Sequence, residues 1–372
     1  MNKSTNILTR VNILLTQLNI FLFSPVMPTM SDVARKAGVS RYTVSKVING
    51  NATVKAGVRA NVLAACRALF FSPNEHAVGL VRGTSNTVGM IVSHINDPFY
   101  SEIIEAADNE ARARGYRLIF QCSYGRAELE EQIVRHFLSL RVLGIILAPV
   151  MSGENHELLV RVAESKPLLY IDRYFNRESH YIINDHFGGA RMVTEHLLSM
   201  GRVPAYLGSS HARTNRAAVD RERGYVETIK KHGHVPLLLP IANTQETRDS
   251  EKFGFDSMSA YLASAPPPKA LFCATDSVAL GAMHALRSFQ FEPGRDVLVA
   301  GHDDLSFAAY CHPPLSTVRQ PKVEIGCEAV KTIALLANRP HSEHKCFIRK
   351  KLNSMLIVRE SSAQLKKSSA CP

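Results

Sequence analysis

The sequence predicts an α/β protein: a small all-α head, then a body of two lobes built on doubly wound parallel sheets. Two observations predict it. Between positions 29 and 71 the apolar spacing is helical throughout, with no strand-like run; from 87 onward, short apolar runs alternate with amphipathic stretches. With 372 residues and 45% hydrophobic content, the chain can bury a core large enough for two or three domains.

The first 28 residues are expected to stand outside the folded protein. The run "VNILLTQLNIFLF" is interrupted by Asn12, Thr16, Gln17 and Asn19, and it falls short of the ~20 apolar residues a spanning helix needs. "FSPVMP" follows instead of a small-x-small cleavage site. An upstream start codon, with Met27 or Met30 as the natural beginning, is the expected account; a disordered extension is the next. No membrane partner is expected.

The head begins at "TMSDVARKAGVSRYTVSKVINGN". Ser31 is expected to cap a first helix, with Asp32 favourably placed at its N-terminus. Val33, Ala34 and Ala37 form its apolar stripe, and Gly38 ends it. Val39 plugs the turn, and Ser40 caps a second helix that reaches Ile48 and stops at Asn49-Gly50. Val44, Val47 and Ile48 then face inward, leaving Arg41, Tyr42, Ser45, Lys46 and Asn49 on the opposite side. This is a helix-turn-helix pattern whose outer face is rich in hydrogen-bond donors and carries no carboxylate. Positions 28–85 hold eight basic residues against two acidic ones, over half of the chain's net +11. Such an excess suits a polyanion, because neutralising phosphates releases condensed counterions; a solvated basic face is the plainer reading of charge alone.

Residues 72–86, "SPNEHAVGLVRGTSN", read as a linker with at most one short helix. The strand candidates that follow are "TVGMIVSHI", "RLIFQCS", "LGIILAPV", "PLLYID", "HYIIND", "AYLGSS", "VPLLLP", "ALFCATD" and "VLVAGHDD". Between them, stretches such as "SEIIEAADNEARARG" and "GGARMVTEHLLSMG" have helical periodicity. Strands apolar on both faces, alternating with helices, imply parallel sheets covered on both sides. Such lobes bind ligands beyond the carboxyl ends of their strands. Those ends carry Phe99 and Tyr100, Asp172-Arg173, Asp185, Asp276 and His302-Asp303. Tyr100 fits a ligand role or a core helix start equally well.

The seven cysteines are scattered, mostly in apolar surroundings, and form no CxxC pair. They read as small hydrophobes of a reduced, cytoplasmic compartment. No Walker loop, G-x-S-x-G or HExxH is present, and "HSEHKC" (341–346) reads as a solvated loop. An enzyme, a metal centre and a bound cofactor are therefore not expected.

The head resembles that of the lactose-repressor (LacI) family, T-x-x-D-V-A-x-x-A-G-V-S-x-x-T-V-S-x-V-x-N. The similarity runs on through "VLAACRALFFSPN", "VGMIVSHINDPFYSEIIEAADNEARARGY", "IILAPV", "RERGY", "ATDSVALGAMHAL", "VLVAGHDDLS" and "PPLSTVRQP". It covers the chain from Thr29 to about Arg359 and implies a periplasmic-binding-protein-like body. It implies a dimeric transcription regulator, most simply a repressor, that binds a palindromic operator in double-stranded DNA and responds to a sugar or sugar acid. By it, Arg41, Tyr42 and Lys46 reach base edges, while Ser40, Thr43 and Ser45 contact phosphates. Ala77 and Leu80 belong to a minor-groove hinge; the plainer reading of Leu80 is packing in a linker. Gly79 beside it, and Lys55 where a serine commonly caps the third helix, depart from the pattern.

The resemblance also maps effector contacts onto Phe99, Tyr100, Arg173, Asp185, Arg221 and Asp276. His302 stands where an aromatic is usual and is added to that set. Arg173 with Arg221 hints at an anionic ligand, unless Asp172 or Asp220 neutralises them. Lobe 1 is expected to comprise about 87–185 plus 295–320, and lobe 2 about 186–294 plus 321–360, with crossovers near Asp185, Pro293 and Gln320-Pro321. A tail, 361–372, lacks a leucine heptad, so a dimer is expected. An exported sugar-binding protein shares the two-lobed body, but it has no use for a basic helix-turn-helix.

Overall fold

The computed structural model describes residues 28–48, 51–72, 85–175, 178–208, 216–240, 250–339 and 346–363. The chain divides into two compact units, Met1–Val81 and Arg82–Pro372. The leader 1–27, Asn49-Gly50, Ala77, Gly79, Leu80 and 341–345 lie outside the described residues.

In the first unit α1 is Met30–Ala37, α2 is Arg41–Ile48 and α3 is Ala56–Ala68. Thr29, not Ser31, caps α1. Its hydroxyl accepts from the Asp32 N–H at 3.3 Å while its own N–H donates to Asp32 Oδ2 at 2.9 Å. A capping box needs an acidic residue three positions on; Thr29 has Asp32, whereas Ser31 would face Ala34. Gly38 closes α1 at φ 67°, a left-handed conformation that glycine adopts without a steric penalty. Ser40 Oγ accepts from the Thr43 N–H at 3.1 Å, as expected of the α2 cap. Val33, Ala34, Val44, Val47, Val62 and Ala65 form the core. Lys55 precedes α3 without a side-chain capping bond.

In the second unit, a six-stranded sheet runs through β1 (Thr87–Val92), β2 (Arg117–Cys122), β3 (Gly144–Leu147), β4 (Leu168–Ile171), β5 (His180–Asn184) and β11 (Arg349–Leu352). Its helices are α4 (Pro98–Ala113), α5 (Ala127–Ser139) and α6 (His156–Ser165). Every pairing in this sheet is parallel. The second lobe holds β6 (Pro204–Leu207), β7 (Leu237–Leu238), β8 (Ala270–Cys273) and β9 (Leu298–Ala300), also parallel. Its helices are α7 (His186–Ser199), α8 (Arg216–Lys231), α9 (Ser250–Leu262) and α10 (Asp276–Ser288). Apolar clusters cover both faces of both sheets, with each fully buried Ile, Leu or Val worth about 1.5–3 kcal/mol.

Every expected strand forms, but the late segments trade lobes. β9 pairs with β8, so the chain stays in lobe 2 past Pro293 and the expected crossing there is absent. It continues through β10 (Thr317–Arg319) and then enters α11 (Lys322–Ala337), which returns to lobe 1. Ile325, Ala329, Val330 and Ile333 of α11 join the lobe 1 core beside α4. The approach is close: a Cβ at Gly326 would sit 2.4 Å from the Ile103 carbonyl oxygen. After β11, the chain crosses again to β12 (Met355–Ile357), which pairs antiparallel with β10. The crossings thus fall at 184–185, 320–321 and 352–355. The body also runs beyond 360: Ser361 and Ser362 are fully buried, and Ser361 Oγ donates to the Val299 carbonyl at 2.7 Å.

The cysteines are less buried than expected. Cys273 is buried, Cys66, Cys122, Cys311 and Cys327 are half-buried, and Cys346 is exposed. Among the described residues, no cluster of His, Cys, Asp or Glu is arranged to hold a metal, and no helix is long and apolar enough to cross a membrane.

Candidate functional site

The outer face of α2 keeps the donors that the sequence placed there. Arg41 and Tyr42 are exposed, and Thr43, Ser45 and Lys46 are half-buried. Lys46 Nζ lies 4.7 Å from the centre of the Tyr42 ring, a cation–π contact that holds the two side chains together. Ser40 and Thr43 exchange a 2.9 Å hydroxyl contact at the helix start. In α1, Asp32 is paired with Arg35 at 3.2 Å, and α2 itself carries no carboxylate.

In the body, the strand ends converge on a second cluster. Tyr100, near the start of α4, donates from its hydroxyl to Asp172 Oδ2 at 2.9 Å and accepts from Arg173 Nη2 at 3.0 Å. Arg173 Nε closes the triangle on Asp172 at 3.1 Å. On the lobe 2 side, Arg221 Nη1 donates to the Ala274 carbonyl at 2.6 Å, and its Nη2 lies 3.2 Å from Asp303 Oδ1. His302 Nδ1 reaches the same carboxylate oxygen at 3.1 Å. Arg221 Nε lies 3.4 Å from His186 Nδ1. Because a guanidinium only donates, that ring nitrogen accepts, and His186 carries its proton on Nε2. Nε2 points toward Asp172 Oδ1 at 3.8 Å and has no hydrogen-bond partner among the described residues.

Two of these carboxylates sit on unusual backbone: φ is 65° at Asp172 and 125° at Asp303. Non-glycine residues there store of order 1–3 kcal/mol of strain, a mark of geometry held by its surroundings. Charges in the cluster are set by burial and neighbours. Burial, then the field of Arg221, pushes His302 down to about 4 and His186 well below its usual value, so both rings are neutral near pH 7. Burial opposes ionisation of Asp303, but Arg221 and His302 outweigh it and hold the carboxyl below its ordinary range. Burial, with the charges of Asp303 and Asp172, lifts Asp97 to about 6 despite a bond from the Phe99 N–H.

Two of the expected contacts already have partners within the protein. Asp276 is fully buried, with Oδ1 accepting from Thr317 Oγ1 at 2.5 Å and Oδ2 from the Leu305 N–H at 2.8 Å. Its two oxygens tie the start of β10 to the loop at Leu305, both in lobe 2. Asp185 caps α7 through the Gly188 N–H at 2.9 Å and pairs with Lys351 at 2.7 Å, at a crossover. Strand-end position alone does not say which way a carboxylate turns. Phe99 packs in the lobe 1 core, edge-to-face on Tyr100.

Two family models match the chain: bacterial regulatory proteins, lacI family, over residues 29–74, and a periplasmic binding protein-like domain over 194–362. The ribose operon repressor of Escherichia coli (strain K12) is 29% identical over 340 residues, spanning 90% of this chain and all of that protein. The HTH-type transcriptional regulator GalR of the same strain is 30% identical over 322 residues, 85% of this chain and 92% of the relative. The chain belongs to the LacI/GalR family. A lac repressor dimer bound to operator and the anti-inducer ONPF superposes with a TM-score of 0.80 at 26% identity, over 90% of this chain and 99% of that one. A CelR–cellobiose complex gives 0.64 at 26%, with the same coverage.

This LacI/GalR-family chain is therefore a sequence-specific DNA-binding regulator with an effector-binding body, and not an enzyme. Of the expected body residues, Tyr100, Arg173, Arg221 and His302 come together where the two lobes meet, joined by Asp172, His186 and Asp303. Asp303 was legible as the residue after His302 in "GHDD". His186 gave no signal, since the first residue of a helix after "IIND" reads as a cap and not as a ligand donor.

Proposed function

We propose that the chain is a cytoplasmic, dimeric repressor whose effector is a neutral polyhydroxylated sugar held between the lobes. The observation that carries this is the pairing of both cleft arginines. Arg173 is neutralised by Asp172 and Arg221 by Asp303, not by Asp220, which pairs with Arg216 and Arg223. Asp97 adds a further carboxyl, and both histidines are neutral. An anionic sugar acid or phosphate would meet no unpaired cation in this cluster, so the anionic reading loses its support. A hydroxyl both donates and accepts, and one placed near His186 Nε2 and Asp172 Oδ1 accepts from the first and donates to the second.

In this reading Arg41, Tyr42 and Lys46 read bases, and Ser40, Thr43 and Ser45 hold phosphates. Arginine is suited to guanine by its bidentate fork, while hydroxyls set register. Ala77 and Leu80 remain proposed hinge contacts on DNA. The second copy docks on lobe 1 at the free edge of β2, where Ile95, Phe120 and Tyr124 are 46%, 40% and 47% exposed around a groove of about 690 Å³. Two of the similar proteins support a sugar: one is a ribose operon repressor and one a CelR regulator in complex with cellobiose. Thermal-shift measurements with D-ribose, D-galactose, D-gluconate and ribose 5-phosphate test the charge argument. A shift with a neutral sugar is expected; stabilisation by the two anions alone would overturn it.

A further inference from the structure

The three chain crossings between the lobes are joined by one line of side-chain hydrogen bonds. Ser354, between β11 and β12, donates from Oγ to Asn184 Oδ1 at 2.7 Å. Asn184, at the end of β5, donates from Nδ2 to Gln320 Oε1 at 3.1 Å. Gln320, just after β10, donates from Nε2 to Asp303 Oδ1, the oxygen that also faces Arg221 Nη2 at 3.2 Å. Asn184, Gln320 and Asp303 are all at least nine-tenths buried, so water does not substitute for a lost bond without rearrangement.

The carboxylate end dictates the direction of the whole line. An ionised Asp303 only accepts, so Gln320 must turn its NH2 toward it and its oxygen toward Asn184. Asn184 must then present its own NH2 and receive Ser354 with its oxygen. Ser354, Asn184 and Gln320 each lie on a different crossing, and Asp303, at the end of the line in lobe 2, touches Arg221. Alongside, Lys322 Nζ donates to Glu102 Oε1 of α4 at 2.6 Å and to the Asp304 carbonyl of lobe 2 at 3.1 Å, a second tie across the same crossing.

We propose that Gln320 is the positioning residue that couples the cleft to the interlobe hinge, passing a change at the Arg221–Asp303 pair to all three crossings. This rests on the reading of the cleft as the effector site. A ligand hydroxyl that competes for Asp303 Oδ1 draws on the oxygen that Gln320 uses, and the amide oxygens and NH2 groups behind it respond in order. Leucine at 320 keeps the volume and removes both ends of the relay; glutamate keeps the acceptor for Asn184 and sets a carboxylate against Asp303.

The test is hydrogen–deuterium exchange on the full-length, ligand-free protein, followed at 184–186 and 352–355, with β3 as the internal reference for global stability. Asp303→Asn is expected to raise exchange at both crossings by about fivefold in the wild-type background. In Gln320→Leu, and equally in Gln320→Glu, adding Asp303→Asn is expected to change nothing further there. If Asp303→Asn acts equally in all three backgrounds, or moves only β3, the relay is wrong. The effector reading stands or falls separately: a sugar-induced thermal shift that survives Arg221→Ala would sink that reading, while the ligand-free exchange comparison still decides the relay.

Discussion

Arg221 Nη2 and Asp303 Oδ1 lie 3.2 Å apart with both side chains less than a tenth exposed. Two buried charges stabilise a fold only when each keeps the other, and removing one leaves the partner stranded. Arg221→Ala is therefore expected to lower unfolding free energy by about 3 kcal/mol, at the low end for a broken buried pair, in urea titrations. The double variant Arg221→Met with Asp303→Leu is expected to regain most of that stability, because no charge is left unpaired, yet to bind no sugar. A double variant that still shows the wild-type thermal shift would mean the pair does not touch ligand.

Asp97 supplies a pH-dependent term. Its ordinary value is 3.8 and in the folded protein it titrates at about 6, so the folded state holds the proton more tightly than the unfolded chain. Stability is then lost as pH rises from ~4 through ~6 and stays lost above, by at most about 3 kcal/mol. Asparagine keeps the oxygen that caps α4 and carries no charge. Asp97→Asn is expected to be more stable than wild type at pH 8, with the gap closing toward pH 4. A gap that stays constant over that range would show that the charge of Asp97 is not what strains the cleft.

The α1 cap separates two neighbouring hydroxyls. Thr29 Oγ1 takes part in the capping box, and Ser31 is exposed within the helix. Thr29→Ala is expected to cost the head about 1 kcal/mol, while Ser31→Ala changes it by less than about 0.5 kcal/mol. Exchange protection of the α1 amides reads both, and the reverse order would reinstate Ser31 as the cap.

Periodicity made the order of elements legible, because a buried parallel strand is apolar on both faces and its helices are apolar on one. Three strands escaped that reading: β10, β11 and β12. "RKKL" alternates exposed and half-buried residues at a sheet edge, so its charges hide a strand, and the lobe assignment failed with it. Lobe membership depends on which sheet accepts a late strand, a long-range choice that local pattern does not encode. The same holds within the site. Arg173, Arg221 and the neighbouring Asp172 that pairs with Arg173 were legible, but the counter-ion of Arg221 was not, since Asp303 rather than Asp220 meets it only through folding.

The β2 edge gives a prediction about assembly. Phe120→Arg places a charge in the groove at the β2 edge without removing a fully buried side chain, since Phe120 is 40% exposed. Sedimentation at micromolar concentration is expected to show monomers for the variant and dimers for wild type. Unchanged dimers would move the interface off this face.

The central claim is that α2 reads DNA sequence, and selection from a randomised duplex library tests it most directly. Wild type is expected to enrich a palindrome, and Arg41→Ala to lose its preference at one symmetric pair of positions, at about 1–3 kcal/mol for a bidentate arginine–guanine contact. Affinity of both proteins is expected to fall steeply with salt. Identical enriched sequences for Arg41→Ala and wild type would contradict the role given to this helix.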